Sequence, residues 1–390
     1  MDLSFKKAAQ KIDHAKPLAV GIECGWASEA IYNSAKSYFD ELLSDIDRAE
    51  SSIELAVYIF TLDETGLRFT NALLNASQRG VKVRLLVDGV GSAIDAETIA
   101  RRLSGAGSEV RIYHPLPWYW GNYRWSLRPG AGFEKLYYFI AAMNRRDHRK
   151  FCVIDKSIAW CGSFNICQDH LNQTIPWRDY GVRLTGDAVA SLIETFDSVW
   201  FGRKNANISR RMSRFFRSNY SLRLRRLSNR LLVEKIRNAK QRVWICSAYF
   251  SPSGAVIRAI KAANSRNVDV RLIVAGRSDI ALFPVLSSTY YADLLKIGIS
   301  IYQYRAGILH AKVMLVDQLC LIGSTNLNHR SFHHDLELDV VLSMPESISR
   351  IQSLLERDMQ NSLQLSQDNV TIWGRFILFG WVLRVIRYWL

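Results

Sequence analysis

The sequence predicts an α/β protein made of two similar βαβ-containing halves that pack together as a pseudo-dimer. Two observations carry this prediction: a β–α–β pattern occurs twice along the chain, and so does a motif that begins with His-x-Lys. With 390 residues, the chain is long enough for two cores of ordinary domain size. A hydrophobic content of 48% and a charged content of 22% are typical of a globular protein.

The first repeat relates residues 52–92 to residues 242–279. Each segment opens with a β-rich run, passes through a turn into a helical pattern, and ends in a second β-rich run of the form VxVRLxV. This order implies two parallel strands joined by a right-handed crossover. Two copies therefore predict two similar α/β halves.

The second repeat reads "HRKFCVIDKSIAWCGSFN" at 148–165 and "HAKVMLVDQLCLIGSTN" at 310–326. Alternate residues of a strand share one face, so the His and the Lys of each copy point the same way. The Asp follows the His at an odd separation, which turns it to the opposite face. Asp155 and Asp317 are therefore predicted to anchor the strand end and the following turn.

Each copy continues into a Gly-Ser-x-Asn turn. Gly162 and Gly323 are predicted to form tight turns where the backbone approaches a ligand. The hydroxyl and amide groups that follow are suited to bind the oxygens of a phosphate. These predicted phosphate-binding residues are Ser163, Asn165, Ser324 and Asn326.

Two copies brought face to face would surround one phosphate with charged donors. The predicted catalytic residues of this site are His148, Lys150, His310 and Lys312. One histidine would attack phosphorus and form a phosphohistidine, and the other would protonate the leaving alcohol and then deprotonate the incoming one. Because two ammonium groups stabilise the developing charge, we predict neither a metal nor a cofactor.

Each histidine also needs a carboxylate at its second ring nitrogen to fix its tautomer. Asp179 in "WRDYGVRLTG" and Glu337 in "DLELDVVLSM" occupy matching places in the repeat. We therefore add both to the predicted catalytic residues. Following the order of each half, we expect Asp179 to orient His148 and Glu337 to orient His310.

The chain is strongly basic, with 51 Lys and Arg against 36 Asp and Glu and a net charge of +15. This excess favours a polyanionic partner, either nucleic acid or an anionic membrane. Eleven Trp, 16 Tyr and 17 Phe favour the membrane, because amphipathic rings suit the headgroup layer. The six cysteines form no CxxC pair, which indicates buried reduced thiols.

The predicted segments are a first half at 30–204, a basic linker at 205–230, a second half at 231–362 and an amphipathic tail at 371–390. The linker lies in a stretch without acidic residues, so we expect it to attract an anionic membrane surface. The tail is nearly all apolar or aromatic, but its longest apolar run is too short to span a bilayer. We expect the tail to lie in the membrane interface as a helix, with docking on the protein core as the alternative.

The first half carries an aromatic and basic insertion near 114–147 that the second half lacks. It is predicted to be either a covering subdomain or a lipid-facing lid. The N-terminal residues show no pattern of a signal peptide or membrane span. We therefore expect a peripheral or monotopic protein at the cytoplasmic face of a membrane.

The doubled motif resembles the phospholipase D superfamily, whose signature is HxKxxxxD followed by GSxN. The resemblance covers about residues 35–360, and the second copy has one residue fewer between Asp317 and Gly323. The stretches "NRRDHRK", "WRDYGVRLTG", "YFSPSG", "VDVRLIVAGRSD" and "HAKVMLVD" are similar to bacterial cardiolipin synthases of the short type without N-terminal membrane spans. The resemblance implies transfer of a phosphatidyl group from one phosphatidylglycerol to another, with release of glycerol. It also implies that His148 is the nucleophile and His310 the general acid and base.

Other functions use the same residues. A phospholipase D hydrolase would accept water and a phosphatidylserine synthase would accept serine, and the motifs do not distinguish these acceptors. A nuclease of the superfamily is less consistent with the apolar tail and the Trp-rich insertion, so no nucleic acid is expected. A membrane-binding protein without activity would show degraded motifs, whereas both copies are intact.

Overall fold

The computed structural model describes residues 25–115, 145–202 and 214–368. Within these ranges the two halves of the chain each build one large mixed β-sheet. The sheets are related in strand order and connection, because each contains a parallel β–α–β pair flanked by an antiparallel hairpin. The predicted α/β class with two similar halves is confirmed.

The first half contains strands β1 (Ser28–Tyr32), β2 (Ser52–Val57), β3 (Lys82–Asp88), β4 (Glu109–Tyr113), β5 (Phe151–Ile154), β6 (Ile158–Gly162), β7 (Trp177–Arg178) and β8 (Gly181–Thr185). All of them except β7 form one sheet in the order β1-β8-β6-β5-β2-β3-β4. Its helices are α1 (Ala35–Asp47), α2 (Glu64–Gln78), α3 (Ala96–Ser104) and α4 (Val189–Trp200).

The second half contains strands β9 (Phe216–Ser218), β10 (Arg242–Ser247), β11 (Asp269–Ala275), β12 (Ser300–Tyr304), β13 (Ile308–Leu309), β14 (Lys312–Val316), β15 (Leu319–Gly323), β16 (Leu338–Leu342) and β17 (Ser362–Gln364). All except β13 form a second sheet in the order β17-β12-β11-β10-β14-β15-β16-β9. Its helices are α5 (Leu222–Arg237), α6 (Gly254–Asn264), α7 (Leu282–Ser288), α8 (Tyr291–Leu295), α9 (His329–His333) and α10 (Pro345–Gln360).

The predicted β–α–β units are β2-α2-β3 and β10-α6-β11, and the strands of each pair run parallel. Parallel strands are covered on both faces, which explains their nearly continuous apolar sequences. Both crossover helices begin at a capping side chain. Asp63 accepts a hydrogen bond from Gly66 N at 2.9 Å, and Ser253 accepts one from Val256 N at 3.4 Å.

The two sheets face each other across a shared apolar core. Cys161 and Val182 from the first sheet and Ile322 and Val340 from the second belong to the same buried cluster, together with side chains of α4 and α10. Helices α1, α2 and α3 cover the outer face of the first sheet, and α5, α6 and α8 cover that of the second. This shared core holds the two halves in a fixed relation.

The structure corrects the predicted basic linker at 205–230. From residue 214 onward this segment is folded into the second half, because β9 pairs with β16 and α5 begins at Leu222. Arg217 forms a buried ion pair with Asp339 at 2.9 Å, and Arg225 donates to backbone carbonyls of the residues that follow α9. Part of the positive charge predicted to face a membrane therefore stabilises the protein interior.

Two further predicted segments cannot be compared with the structure. The insertion near 114–147 falls mostly on residues 116–144, and the tail is residues 371–390; both lie outside the described residues. Within the described ranges, the helices are too short or too polar to cross a bilayer. The five cysteines in these ranges are buried and unpaired.

Candidate active site

The two motif histidines are held at the boundary between the halves by short backbone pairings. Strand β7 pairs in parallel with β13, and His310 N donates to Arg178 O at 2.9 Å. On the other side, Asp147 forms a bridge with Leu336, and His148 N donates to Leu336 O at 2.9 Å. Each histidine is therefore attached through its backbone to a segment of the opposite half.

These pairings decide which carboxylate each histidine meets. His310 Nδ1 lies 2.7 Å from Asp179 Oδ1, and His148 Nδ1 lies 3.2 Å from Glu337 Oε2. The expectation that Asp179 orients His148 and Glu337 orients His310 is therefore wrong. The partners are exchanged because Asp179 and Glu337 directly follow the residues whose carbonyls hold the histidine of the other half.

The two motif lysines lie beside the histidines and are almost fully buried. Lys150 Nζ donates to His148 O at 2.6 Å, and Lys312 Nζ donates to His310 O. The ring of Tyr58 covers the first pair, with its centroid 5.1 Å from Lys150 Nζ and 4.9 Å from the centroid of the His148 ring. These contacts fix both ammonium groups next to the imidazoles.

Burial makes both lysines unusually acidic, and the charge of Lys312 adds to this effect at Lys150. Burial, followed by the charge of Lys312, lowers the pKa of Lys150 to about 7. Burial also lowers the pKa of Lys312 to about 8, against the attraction of Asp179 and Asp279. Two ammonium groups that repel each other in a buried site form a strong receptor for an anion, because a bound anion relieves the repulsion.

Burial and the neighbouring lysines also lower the pKa values of the two histidines. Burial and the charges of Lys150 and Lys312 lower the pKa of His148 well below its ordinary value. Burial and Lys312 lower the pKa of His310 to about 4, although Asp179 opposes the shift. In both rings, hydrogen bonding at Nδ1 leaves Nε2 as the nitrogen for substrate.

The Gly-Ser-x-Asn turns act differently from the prediction. Ser163 Oγ donates to Tyr180 O and accepts from Tyr180 N, while Ser324 Oγ donates to Glu337 and accepts from Leu338 N. Both serines are fully buried. Their hydroxyls are thus committed to the neighbouring strand, in contrast to the predicted role in phosphate binding.

The glycines of the same turns serve strand packing. A Cβ at Gly162 would lie 2.5 Å from Tyr180 O, and one at Gly323 would lie 2.2 Å from Leu338 O. Glycine is therefore required because β8 and β16 approach the backbone closely, whereas the prediction gave a ligand as the approaching group.

The asparagines of the two turns are buried and equivalently placed. Asn165 Oδ1 accepts from Ile59 N, and Asn326 Oδ1 accepts from Tyr249 N, both at 3.3 Å. These bonds tie each turn to the end of β2 or β10. The role of the asparagine amides in phosphate binding stays a prediction.

The motif aspartates lie at the far end of their strands. Asp155 accepts from the backbone N–H groups of Glu50, Ser51 and Ser52, and Asp317 accepts from those of residues 240–242. Asp155 binds the turn before β2, and Asp317 binds the turn before β10. This geometry gives them an anchoring role away from the histidines.

Sequence reasoning missed two side chains that connect the turns to the carboxylates. His170 Nδ1 lies 2.9 Å from Asp179 Oδ2, and its Nε2 accepts from Asn165 N at 3.0 Å. In the other half, Ser331 Oγ donates to Glu337 Oε1 at 2.5 Å. A signal was present, since each follows its motif asparagine by the same five residues.

Among the described residues, one group has the composition and spacing of a metal site. Ligand atoms of His170, Asp179 and His310 lie within 4.8 Å of one another. A metal between them would need the Nδ1 lone pair of each ring, but both Nδ1 atoms bond to Asp179, and His170 Nε2 accepts from Asn165 N. The group therefore fits a hydrogen-bonded network better than a metal centre.

Comparison with known proteins gives a consistent family assignment. The family described as "Cardiolipin synthase, PLD-like domain" matches residues 42–200 and 232–359. The cardiolipin synthase of Clostridium perfringens strain 13 is 29% identical over 341 residues, which cover 82% of this chain and 67% of that protein. The minor cardiolipin synthase ClsB of Bacillus subtilis is 29% identical over 347 residues, covering 85% of this chain and 81% of that protein.

A solved structure shares the two-half architecture. The phosphatidylserine synthase of Haemophilus influenzae Rd KW20 matches with a TM-score of 0.68 and 14% identity, covering 98% of this chain and 99% of that one. At this identity the similarity concerns the fold alone. It extends over both halves of the chain.

Proposed function

The chain belongs to the family described as "Cardiolipin synthase, PLD-like domain" and is an enzyme of the phospholipase D superfamily, and we propose that it transfers a phosphatidyl group from one phosphatidylglycerol molecule to another with release of glycerol. The observation that carries the proposal is the exchanged pairing of two histidines with the carboxylates of opposite halves, beside two buried lysines. This arrangement places two imidazoles and two ammonium groups at one boundary.

In the first step, His310 is protonated, a form that the negative charge of the bound phosphate favours, and His148 Nε2 attacks the phosphorus of phosphatidylglycerol. An N–P bond forms, the P–O bond to glycerol breaks, and His310 gives the proton from its Nε2 to the leaving oxygen. Lys150 and Lys312 stabilise the negative charge on the non-bridging oxygens. Glycerol leaves and the phosphatidyl group remains on His148.

In the second step, the hydroxyl of another phosphatidylglycerol attacks the phosphohistidine. His310 Nε2 takes the proton of this hydroxyl, a P–O bond forms, and the P–N bond to His148 breaks. The product is cardiolipin, and both histidines return to their starting protonation states.

The carboxylates support this division of roles. Burial opposes ionisation of Asp179, but His310 and His170 outweigh it and hold the pKa of Asp179 well below its ordinary value. An ionised Asp179 favours protonation of His310, which a general acid requires. Burial raises the pKa of Glu337, so His148 has a partner that promotes its protonation less, as a nucleophile requires.

The direct test is incubation of the purified 390-residue chain with phosphatidylglycerol vesicles, followed by mass spectrometry of lipids and glycerol. Cardiolipin and glycerol in equal amounts support the proposal. Phosphatidic acid as the main product would instead identify a hydrolase, and phosphatidylserine formed on addition of serine would identify the serine transferase. The His148→Ala variant supplies the background for each product.

We also propose that the enzyme acts as a peripheral or monotopic protein on the cytoplasmic face of the membrane, bound through its basic residues and the segment 371–390. The net charge of +15 and the apolar, aromatic composition of this segment support the proposal. Flotation with anionic liposomes tests it: deletion of 371–390 should reduce the bound fraction more than the activity on detergent-dispersed lipid. Unchanged flotation would contradict the anchoring role.

A further inference from the structure

His170 occupies a buried junction between the Gly-Ser-x-Asn turn and the carboxylate of the first half. Its side chain is fully buried, Nδ1 bonds to Asp179 Oδ2, and Nε2 accepts from Asn165 N. Burial opposes protonation of His170, and Asp179 outweighs it and raises the pKa of His170 to about 10, but the bond from Asn165 N requires a lone pair on Nε2. We therefore assign the neutral ring with its proton on Nδ1. His170 is thus a donor to Asp179 in a fixed tautomer.

Asp179 is shared between two imidazoles. One oxygen faces His170 at 2.9 Å and the other faces His310 at 2.7 Å. Because both oxygens are engaged, the plane of the carboxylate is fixed by His170 before His310 takes part in chemistry. The rings of His170 and Trp177 also contact the His310 ring, with centroids 5.7 Å and 5.2 Å away.

The other half contains an equivalent junction with a different side chain. Ser331 Oγ accepts from Asn326 N at 3.3 Å and donates to Glu337 Oε1. Position five after the motif asparagine therefore bonds to the same two partners in both halves. A recurring connection built from unrelated side chains, imidazole in one half and hydroxyl in the other, indicates a role in the site beyond packing.

We propose that His170 is a positioning residue that holds Asp179 for its hydrogen bond to His310 and thereby supports the general acid step, and that Ser331 holds Glu337 for His148 in the same way. This inference rests on the proposed function and on the roles assigned there to the two histidines. It predicts that loss of His170 harms proton transfer to the leaving alcohol more than the attack on phosphorus.

Two phosphatidyl donors distinguish proton transfer to the leaving group from the attack on phosphorus. Phosphatidylglycerol releases glycerol, an alcohol that must be protonated as it leaves. Phosphatidyl-p-nitrophenol releases nitrophenolate, which leaves without a proton. In each case the N–P bond to His148 forms and one P–O bond breaks, so the first step is followed as the pre-steady-state burst of glycerol or nitrophenolate.

The variants are chosen to keep the shape of the buried site. His170→Phe and His170→Leu remove both hydrogen bonds and retain apolar volume. His170→Asn keeps a donor near the position of Nδ1. Phe39→Leu is the matched control, because Phe39 is equally buried and its ring contacts the His170 ring without a polar bond.

We expect His170→Phe or His170→Leu to slow the glycerol burst roughly 10- to 100-fold and the nitrophenolate burst less than about threefold. His170→Asn should restore much of the glycerol burst, and Phe39→Leu should leave the ratio of the two bursts unchanged. Ser331→Ala should slow both bursts together, because His148 attacks in both.

Three results separate the possible failures. Wild-type enzyme without glycerol release would overturn the proposed function, and His310→Ala with equal losses on both donors would overturn the acid role of His310. If His310→Ala shows the leaving-group dependence but the His170 variants lose both bursts equally, His170 is only structural and the inference is wrong. The same conclusion follows if His170→Asn is no better than His170→Phe or His170→Leu.

Discussion

Asp179 and Glu337 occupy equivalent places in the two halves, but they differ in what surrounds them. Asp179 accepts hydrogen bonds from two imidazoles, His170 and His310. Glu337 accepts from one imidazole and from two serine hydroxyls. The first environment lowers the carboxylate pKa, whereas burial of the second raises it.

This difference gives a structural basis for the two chemical roles that we propose for the histidines. The backbone pairings that hold the histidines are nearly the same on both sides of the boundary. The distinction comes from the side chains that bond to the carboxylates, among them His170 in the first half and Ser331 in the second. The repeat therefore gives the two imidazoles equivalent positions, and the residues bonded to the carboxylates give them different surroundings.

Removal of either histidine tests whether the halves form one shared site and has the largest expected effect. His310→Ala should reduce turnover by about 10²- to 10⁴-fold, and His148→Ala should reduce it further, because no nucleophile remains. Product formation by mass spectrometry is the measurement. Appreciable turnover in either variant would show that each half works alone.

The carboxylate variants test the difference between the halves directly. Asp179→Asn removes an ionised partner of His310 and should reduce kcat by roughly 10²-fold. Glu337→Gln removes a group whose pKa is already raised, so the loss should be about tenfold smaller. Steady-state kinetics with phosphatidylglycerol decides this, and equal losses would mean that the two carboxylates act alike.

The lysines predict a pH dependence of binding. Lys150 and Lys312 attract phosphate only when protonated, and burial lowers their pKa values to about 7 and about 8. We expect kcat/KM to fall as the pH rises through this range, first with a slope of one and then with a slope approaching two. Rates at constant ionic strength test this, and a flat profile up to pH 9 would contradict it.

Substitution of the motif aspartates is expected to have the smallest effect, and this effect concerns stability and not activity. Asp155 also accepts from Ser51 Oγ, whereas at Asp317 the equivalent residue, Gln241, donates through its backbone N–H. Asp155→Asn should therefore lower the free energy of unfolding by about 1–2 kcal/mol and Asp317→Asn by somewhat less. Urea denaturation measures both, and activity at low temperature should remain near that of wild type.

The stabilisation by Asp155 is expected to decrease at low pH. Burial opposes ionisation of Asp155, but the backbone donors of residues 50–52 outweigh it and lower its pKa. The stabilisation is thus present above the ordinary Asp pKa, about 4, and is lost as the pH falls through the lowered value. The Asp155→Asn variant should lack this part of the acid dependence.

Hydrophobic periodicity and motif spacing predicted the two halves and the parallel β–α–β pairs. They also predicted the two histidines, the two lysines and the two carboxylates of the site. These features repeat within the sequence, and periodicity together with short spacing is enough to detect them. The same reasoning failed for residues 214–230. The many arginines of this segment suggested an exposed linker, but α5 has an apolar face and Arg217 and Arg225 are buried.

The sequence by itself thus determined that the chain carries two copies of one catalytic motif and that the motif aspartates are separated from the histidines by strand alternation. Only the tertiary structure decided which carboxylate serves which histidine, because β7–β13 and the Asp147–Leu336 bridge pair segments from opposite halves. It also decided that His170 and Ser331 hold those carboxylates. These contacts join residues that are far apart in the chain and come together only when the two sheets pack. The spacing of residues along the sequence therefore does not predict them.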